Sequence, residues 1–389
     1  MNGRYIFFKG VIDTLDLYTD EFVKIYTQHQ DECLVLDAGC MDEEIVRLKA
    51  FLLEPVTAVI SFNNIGMQLA FSEGVNVWDQ YGVPFYNILM DHPFHYKEML
   101  EQAPQQAVLL CMDENHAAYV RRFFPNIKRT EFFPHAGIEA AADGDFAYLP
   151  LAERKIDVLY AGGLSRYAAE GLIPDLGKIV DFDAFVLVKN ALERLIQEPD
   201  YTTEFVIEQC LKDLNFTFDN QKLGEIVAKL RFVDAFAVSF YREQMVRMLV
   251  ESGVTVTVFG TGWNRCEWEH PNLVYGGEIP PYQILELMRQ SRIVLNTMTW
   301  FKRGAHDRIF NGMLAGAAVV SDTSAYLEEC FTSGRELQMF SLKDMRGLVD
   351  SVRDLLTDPK RAQNMADCGY QAARDKHRWI NRLRDIHLL

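Results

Sequence analysis

The stretch from Leu295 to Asp322, LNTMTWFKRGAHDRIFNGMLAGAAVVSD, constrains the fold more than any other part of this chain. Ile293-Val294-Leu295 is a short apolar run that ends at Asn296. A polar loop carries Lys302, Arg303, Gly304, His306, Asp307 and Arg308, after which Ile309, Phe310, Met313 and Leu314 recur at helical spacing. A second apolar run, Ala317–Val320, closes at Ser321-Asp322. Strand, basic loop, helix and strand in that order form one parallel crossover unit. Its loop falls at the carboxyl end of a strand and the amino end of a helix, where open α/β sheets bind ligands and where free N–H groups favour an anion. Three cationic side chains and a histidine gather there. The chemistry suits a diphosphate pocket; a solvated loop with ordinary charges is the competing reading.

The rest of the chain makes that concentration of positive charge unusual. Its 389 residues carry 39 basic and 55 acidic side chains, a formal charge of −16. Such a balance argues against nonspecific binding to nucleic acid or to an anionic membrane. The length points to two domains. Cysteines 33, 40, 111, 210, 266, 330 and 368 are scattered without a C-x-x-C pair, so neither a zinc site nor a disulfide framework is indicated and a reducing cytoplasm is the expected compartment. MNGRYIFFKG lacks the longer apolar run of a signal peptide, and no stretch approaches the roughly 18–20 apolar residues of a membrane span.

Over residues 1–140 the pattern predicts strands at Tyr5–Phe8, Cys33–Leu36, Ala58–Phe62, Pro84–Met90, Ala107–Met112 and Thr130–Phe133, with helices or structured connections between them. Asp42–Leu53 shows the clearest helical face, built from Ile45, Val46, Leu48 and Leu52. The expectation is a doubly wound parallel sheet whose strand ends, Asn63-Asn64, Asp91-His92 and Asp113, lie along one edge. Asp113 reads as a helix N-cap. Asp91-His92-Pro93 follows the most apolar strand, and a carboxylate beside an imidazole can deprotonate a hydroxyl near neutral pH. A structural turn is the alternative there.

A small, polar segment at 140–145 reads as part of a linker over 141–153, and a second α/β domain is expected over 154–375. Ile156–Tyr160 is a strand followed by Gly162-Gly163, a turn at which backbone can approach a phosphate closely. From about 166 to 239 glycine becomes rare and helical spacing dominates, as in Asp183–Leu195 and Gln221–Leu230. This is a helical insertion that either covers one side of the ligand site or makes a homodimer contact. The sheet resumes with a helix at Tyr241–Val250, a strand at Val254–Phe259 leading into Gly260-Thr261-Gly262-Trp263, and a strand at Leu273–Tyr275. A strand near Glu336–Phe340, a helix at Leu342–Leu356 and further helices from Pro359 follow.

Taken together, Ile156–Gly163, Val256–Trp263, Val274–Tyr282, Ile293–Asn296, Gly304–Asp322 and His377–Ile386 resemble the second domain of bacterial GT-B glycosyltransferases, in particular the group related to spore-maturation glycosyltransferases. Gly304-x-His306-Asp307-Arg308-x-Phe310, Ala315-Gly316 and Val319–Asp322 carry most of the likeness, with Glu336-Leu337, Cys368-Gly369 and His377-Arg378-Trp379 adding to it. The first domain resembles the family only at Asp91-His92-Pro93 and Pro134-His135-Ala136-Gly137.

The resemblance implies two Rossmann-like domains facing a cleft, the second holding a nucleotide-diphosphate sugar and the first an acceptor. A final segment, 376–389, would be a helix packing back on the first domain. No metal or cofactor is implied, because cationic side chains and helix ends would neutralise the leaving diphosphate. A UDP-sugar is the expected donor, and the acceptor is a glycan, a protein or a small molecule. Donor contacts are expected from Gly162, Gly163, Gly260, Gly262, Trp263, Glu278, Ile279, Tyr282, Asn296, Arg303, His306, Asp307, Arg308 and Asn311. Asn63, Asn64 and His135 fall to the acceptor side or the cleft, with His135 at the domain junction, and Asp91 and His92 to catalysis. One departure matters: where many retaining relatives carry Glu-x7-Glu, this chain has Arg303 and Asn311. Stereochemistry therefore stays open. A sugar-nucleotide-binding module without activity and a nucleotide-sugar epimerase of the same fold are the rival readings.

Overall fold

The computed structural model describes residues 3–72, 74–139, 149–180, 182–298 and 301–389. The core of the expected linker, 140–145, lies outside them. The chain forms two compact units, Met1–Pro134 with Trp379–Leu389, and His135–Arg378. Each is built, among the described residues, on a six-stranded parallel sheet.

In the first unit the strands are β1 (Arg4–Lys9), β2 (Glu32–Asp37), β3 (Ala58–Phe62), β4 (Phe85–Leu89), β5 (Ala107–Cys111) and β6 (Arg129–Phe132). Their spatial order is β2-β1-β3-β4-β5-β6. The apolar runs match these strands because β3 and β5 are buried along their whole length. Helix α1 (Asp13–Gln28) buries Leu15, Tyr18, Phe22 and Ile25. Helix α2 (Met41–Phe51) buries Leu48, and Leu52 follows it into the core, but Val46 is 73% exposed. The expected apolar face is therefore narrower than the sequence suggests, since one turn of anchoring leaves Val46 on the solvent side. Helix α3 (Glu114–Phe123) is capped as its sequence indicates, with Asp113 Oδ1 accepting the N–H of Asn115 at 2.7 Å.

The second unit orders its strands about a central one. They are β7 (Ile156–Ala161), β8 (Val256–Phe259), β9 (Leu273–Tyr275), β10 (Ser291–Asn296), β11 (Ala318–Asp322) and β12 (Gln338–Phe340), arranged β9-β8-β7-β10-β11-β12. The chain builds outward from β7 in one direction, then returns to its other side at β10. The reversal puts the topological switch point between the carboxyl ends of β7 and β10, the position at which such sheets open a ligand crevice.

The helical insertion contains α4 (Ala184–Gln197), α5 (Thr203–Asp213) and α6 (Asn220–Lys229). Helix α7 (Phe232–Glu251) then runs for 20 residues. The sequence suggested a boundary at Ser239 and an amphipathic helix only from Tyr241; the structure corrects this to one continuous helix. The reason is packing on several sides: α7 lies against α4 and against β8, and buries Val233, Val238, Tyr241, Met245 and Leu249 around its circumference. A helix buried on most faces has no apolar period to read. Its lower half, Met245, Val246, Leu249 and Val250, shares a core with Val158 and Tyr160 of β7 and Val256 and Val258 of β8. Each such side chain contributes about 1.5–3 kcal/mol by leaving water.

The unit is completed by α8 (Pro281–Arg289), α9 (Asp307–Leu314), α10 (Arg346–Thr357) and α11 (Pro359–Lys376). Residues beyond 148 belong to this fold rather than to a linker. Leu151 is buried in the core and its N–H donates to Gln363 Oε1 at 2.8 Å. Arg154, 6% exposed, donates to the carbonyls of Leu149, Ser291 and Ala315 at 2.9, 2.9 and 3.0 Å. It ties the entry of β7 to the entry of β10 and the end of α9. Helix α12 (Trp379–Asp385) belongs to the first unit, where Trp379 is fully buried among Tyr18, Phe22, Phe62 and Phe133. Among the described residues no helix is long and apolar enough to cross a membrane.

Candidate functional site

The switch point of the second unit is occupied by an arginine. Arg308 stands in the first turn of α9, and its Nη1 donates to Asn296 Oδ1, at the end of β10, at 2.6 Å. Its guanidinium lies over the Tyr160 ring of β7, 5.3 Å from the centroid. A Cβ added to Gly162 would come within 3.1 Å of Arg308 Nη2. The side chain thus spans the ends of β7 and β10 and faces a backbone that only glycine leaves clear. Asn296 is fully buried, and its Nδ2 donates to Ser321 Oγ at 2.9 Å. It aims Arg308.

Three glycine turns stand side by side beyond the ends of β7, β8 and β9. The N–H of Gly162 donates to Phe259 O, that of Leu164 to Thr261 O, and that of Gly260 to Gly277 O, at 2.8, 2.8 and 3.0 Å. Gly260 has φ of 121°, and a Cβ there would lie 2.7 Å from the Gly163 nitrogen. Glycine is required twice over at this position, by conformation and by space. Trp263 is 3% exposed and donates Nε1 to Gly162 O at 2.8 Å, so it supports the turn from within the core.

At the start of α9, His306 Nδ1 lies 2.7 Å from Asp307 Oδ1 and 3.2 Å from the N–H of Arg308. Nδ1 accepts that N–H as the helix N-cap, with the Asp307 carboxylate close beside the ring. Burial, then the Arg308 cation, hold His306 below its ordinary pKa against the pull of Asp307. Burial pushes the Asp307 carboxyl up, but His306, His135 and Arg308 outweigh it and hold it below the usual carboxylate range. The His135 ring stacks near His306 with centroids 5.9 Å apart and meets Phe301 edge-on. His135, expected at the acceptor side or the cleft, lies in the helix-end cluster of the second unit.

Several expected donor residues take structural roles instead. Asn311 is 5% exposed, with Oδ1 accepting the Ile138 N–H at 2.8 Å and Nδ2 donating to Asp307 at 3.1 Å. It braces the helix rather than presenting an amide to a ribose. Ile279 packs against a small core cluster. Tyr282 is 62% exposed, and Glu278 and Arg303 are exposed on their loops.

No sequence pattern pointed to Arg242. It lies inside α7, is 6% exposed, and donates Nη1 to Gly163 O at 2.5 Å. Flanked by Glu243 and with Asp234, Arg247 and Glu251 in the same helix, it reads as one ordinary helix charge among several.

In the first unit Asp91 and His92 part company. Asp91 is exposed, and its Oδ2 accepts Asn63 Nδ2 at 2.9 Å and the Tyr96 hydroxyl at 2.8 Å. His92 turns inward, with Nδ1 accepting the Phe94 N–H at 3.2 Å and the ring stacked on Phe94 at 3.8 Å. Burial holds His92 well below its ordinary pKa, so it stays neutral. The turn alternative describes His92, while Asp91 keeps the features of a positioned carboxylate. Asn63 and Asn64 both adopt left-handed backbone, φ 45° and 66°. Asn63 Oδ1 accepts the Met90 N–H at 2.8 Å, and the Asn64 side chain pairs with Asn87 inside the unit.

Paired parallel sheets with flanking helices define a GT-B architecture, and solved glycosyltransferases share it. The sucrose-phosphate synthase of Thermosynechococcus elongatus is 9% identical with a TM-score of 0.54, over 100% of this chain and 98% of that one. The DNA-modifying beta-glucosyltransferase, whose substrate is uridine diphosphoglucose, is 11% identical with a TM-score of 0.50, over 96% and 94%. Anabaena HepE, in complex with UDP-glucose, is 11% identical with a TM-score of 0.47, over 99% and 98%. Residues 242–387, less than half of the chain, match the family described as glycosyl transferase-like. No curated protein is detectably similar to the chain in sequence.

Proposed function

We propose that this chain is a glycosyltransferase of the spore-maturation-like group that moves a sugar from a UDP-sugar to a hydroxyl of a glycan, protein or small molecule. The observation that carries the reading is Arg308, a buried cation at the switch point of the second sheet, in the first turn of α9 and facing Gly162. The glycosyl transferase-like match over 242–387, which includes Arg308 and α9, supports it, and so does the fold shared with a glucosyltransferase that uses uridine diphosphoglucose.

The acceptor hydroxyl gives its proton to Asp91 and forms a bond to the anomeric carbon. The bond from that carbon to the β-phosphate breaks, and its electron pair leaves on the nucleoside diphosphate. Arg308 and the N–H groups at the start of α9 stabilise that charge without a metal ion. Phe185, Val186, Tyr201 and Phe205 are exposed on and beside α4 and α5, and this apolar surface is the proposed contact of a homodimer.

The test is nucleotide release from a panel of nucleotide sugars, with and without candidate acceptors. Release that depends on acceptor supports transfer. Binding without turnover would make the chain a sensing module, and a new sugar epimer would make it an epimerase.

A further inference from the structure

Helix α7 touches the glycine turn of the second unit with a single polar stripe. Ala235 O accepts the Ser165 hydroxyl at 3.3 Å, Ser239 Oγ accepts the Arg166 N–H at 2.8 Å, and Arg242 Nη1 donates to Gly163 O at 2.5 Å. Glu243 adds an ion pair with Arg166 at 2.5 Å. Residues 235, 239 and 242 fall at i, i+4 and i+7, one face of the helix. Apart from this stripe, the helix is buried largely through apolar contacts.

The same insertion holds the opposite loop. Lys302 Nζ donates to Pro199 O, between α4 and α5, and Asp234 on α7 accepts the Thr203 hydroxyl. Lys302 also acts electrostatically on Asp234 and on Asp322 at the end of β11. The insertion therefore secures the turn after β7 on one side of the switch point and the loop after β10 on the other.

We infer that Arg242 is a positioning residue for the donor diphosphate and that the insertion is the wall of the donor pocket. The inference rests on the donor-binding reading above. A guanidinium held on the Gly163 carbonyl fixes the peptide plane between Gly163 and Leu164, which determines where the turn's backbone faces the anion. It also adds a cation at the pocket, one that His306 senses together with Arg308. A side chain is excluded at Gly163, where a Cβ would lie 2.5 Å from Thr261 Oγ1, so the turn packs closely on the loop after β8. Removing the guanidinium loosens the turn and lowers the positive charge together.

The probes are UDP and uridine, titrated against the full chain by calorimetry. Arg242→Ala should weaken UDP roughly tenfold or more and leave uridine nearly unchanged, since the loss is confined to phosphate. Arg242→Lys should fall between, and Ser239→Ala, which keeps the charge, should weaken UDP by a few-fold at most. A structural role alone would lower the melting temperature and affect both probes equally. If Arg242→Lys and Ser239→Ala fold and bind UDP as the wild type does, with Arg242→Ala also within twofold, the inference is overturned. If the wild type binds none of UDP, GDP or ADP, the donor reading fails first, which separates the two.

Discussion

The carboxylate of Asp322 accepts the backbone N–H of Met298 at 2.6 Å, joining the end of β11 to the loop that leaves β10. Burial pushes its pKa up to about 7, against the hydrogen bonds and Lys302 that favour ionisation. The folded state therefore holds a proton that the unfolded chain, with an ordinary Asp near 3.9, has already lost. Between about pH 4 and 7 the native state binds more protons, so this group's contribution to stability falls as pH rises. Asp322→Asn keeps an acceptor for Met298 without the charge. Its melting temperature relative to wild type should rise between pH 5 and pH 8. An unchanged difference across that range would mean that Asp322 is ionised throughout.

Asp91 should be the group whose loss separates binding from turnover. Asp91→Asn preserves an oxygen for Asn63 and Tyr96 but cannot take a proton. Turnover should drop by about 10²–10⁴-fold with UDP affinity intact. His92→Ala should instead lower thermal stability, because His92 is a buried cap stacked on Phe94. Near-normal turnover in Asp91→Asn would shift the proton to the leaving phosphate.

Arg308→Lys keeps the charge and loses the fork that reaches Asn296 and Gly162 together. UDP affinity should fall roughly tenfold, measured by calorimetry at fixed ionic strength. A folded variant with wild-type affinity would leave Arg308 as a brace for β10 alone.

Arg154 makes the contrasting case. Its guanidinium sits at the entry of β7 and β10, at the opposite end of these strands from the glycine turns, buried on the carbonyls of Leu149, Ser291 and Ala315. Arg154→Ala should cost about 3 kcal/mol or more in unfolding free energy, read by urea titration, because buried carbonyls lose their donor. In whatever fraction stays folded, UDP binding should be unaffected.

Transfer activity should persist in EDTA, since divalent ions need several oxygen ligands. Full loss, restored by added magnesium or manganese, would contradict a diphosphate neutralised by Arg308 and the α9 terminus.

The strands were readable wherever an apolar run was bounded by turn residues, which is why Ala58–Phe62 and Leu273–Tyr275 agree with the structure residue for residue. The Asp113 cap was readable because its partner is two residues away. The start of α7 was not, because a helix packed on several sides shows no period. Asn311 and Arg242 were missed or misassigned for a common reason. Their partners, Ile138 and Gly163, lie 173 and 79 residues away, and nothing local records the pairing. The same holds for His92, whose neighbours in sequence suggested a dyad while its packing against Phe94 and His116 turned it inward.

The placement of Trp379 bears on how the chain is made. The aromatic cluster around Tyr18, Phe22, Phe62 and Phe133 waits for a side chain encoded more than two hundred residues after the sheet it completes. On the ribosome, the first unit emerges early yet lacks a central piece of its core until residue 379 has cleared the exit tunnel. Its sheet must persist meanwhile with an apolar gap exposed to chaperones. A nascent chain stalled between 134 and 379 should be sensitive to protease in the first unit, and one released past 389 should be resistant.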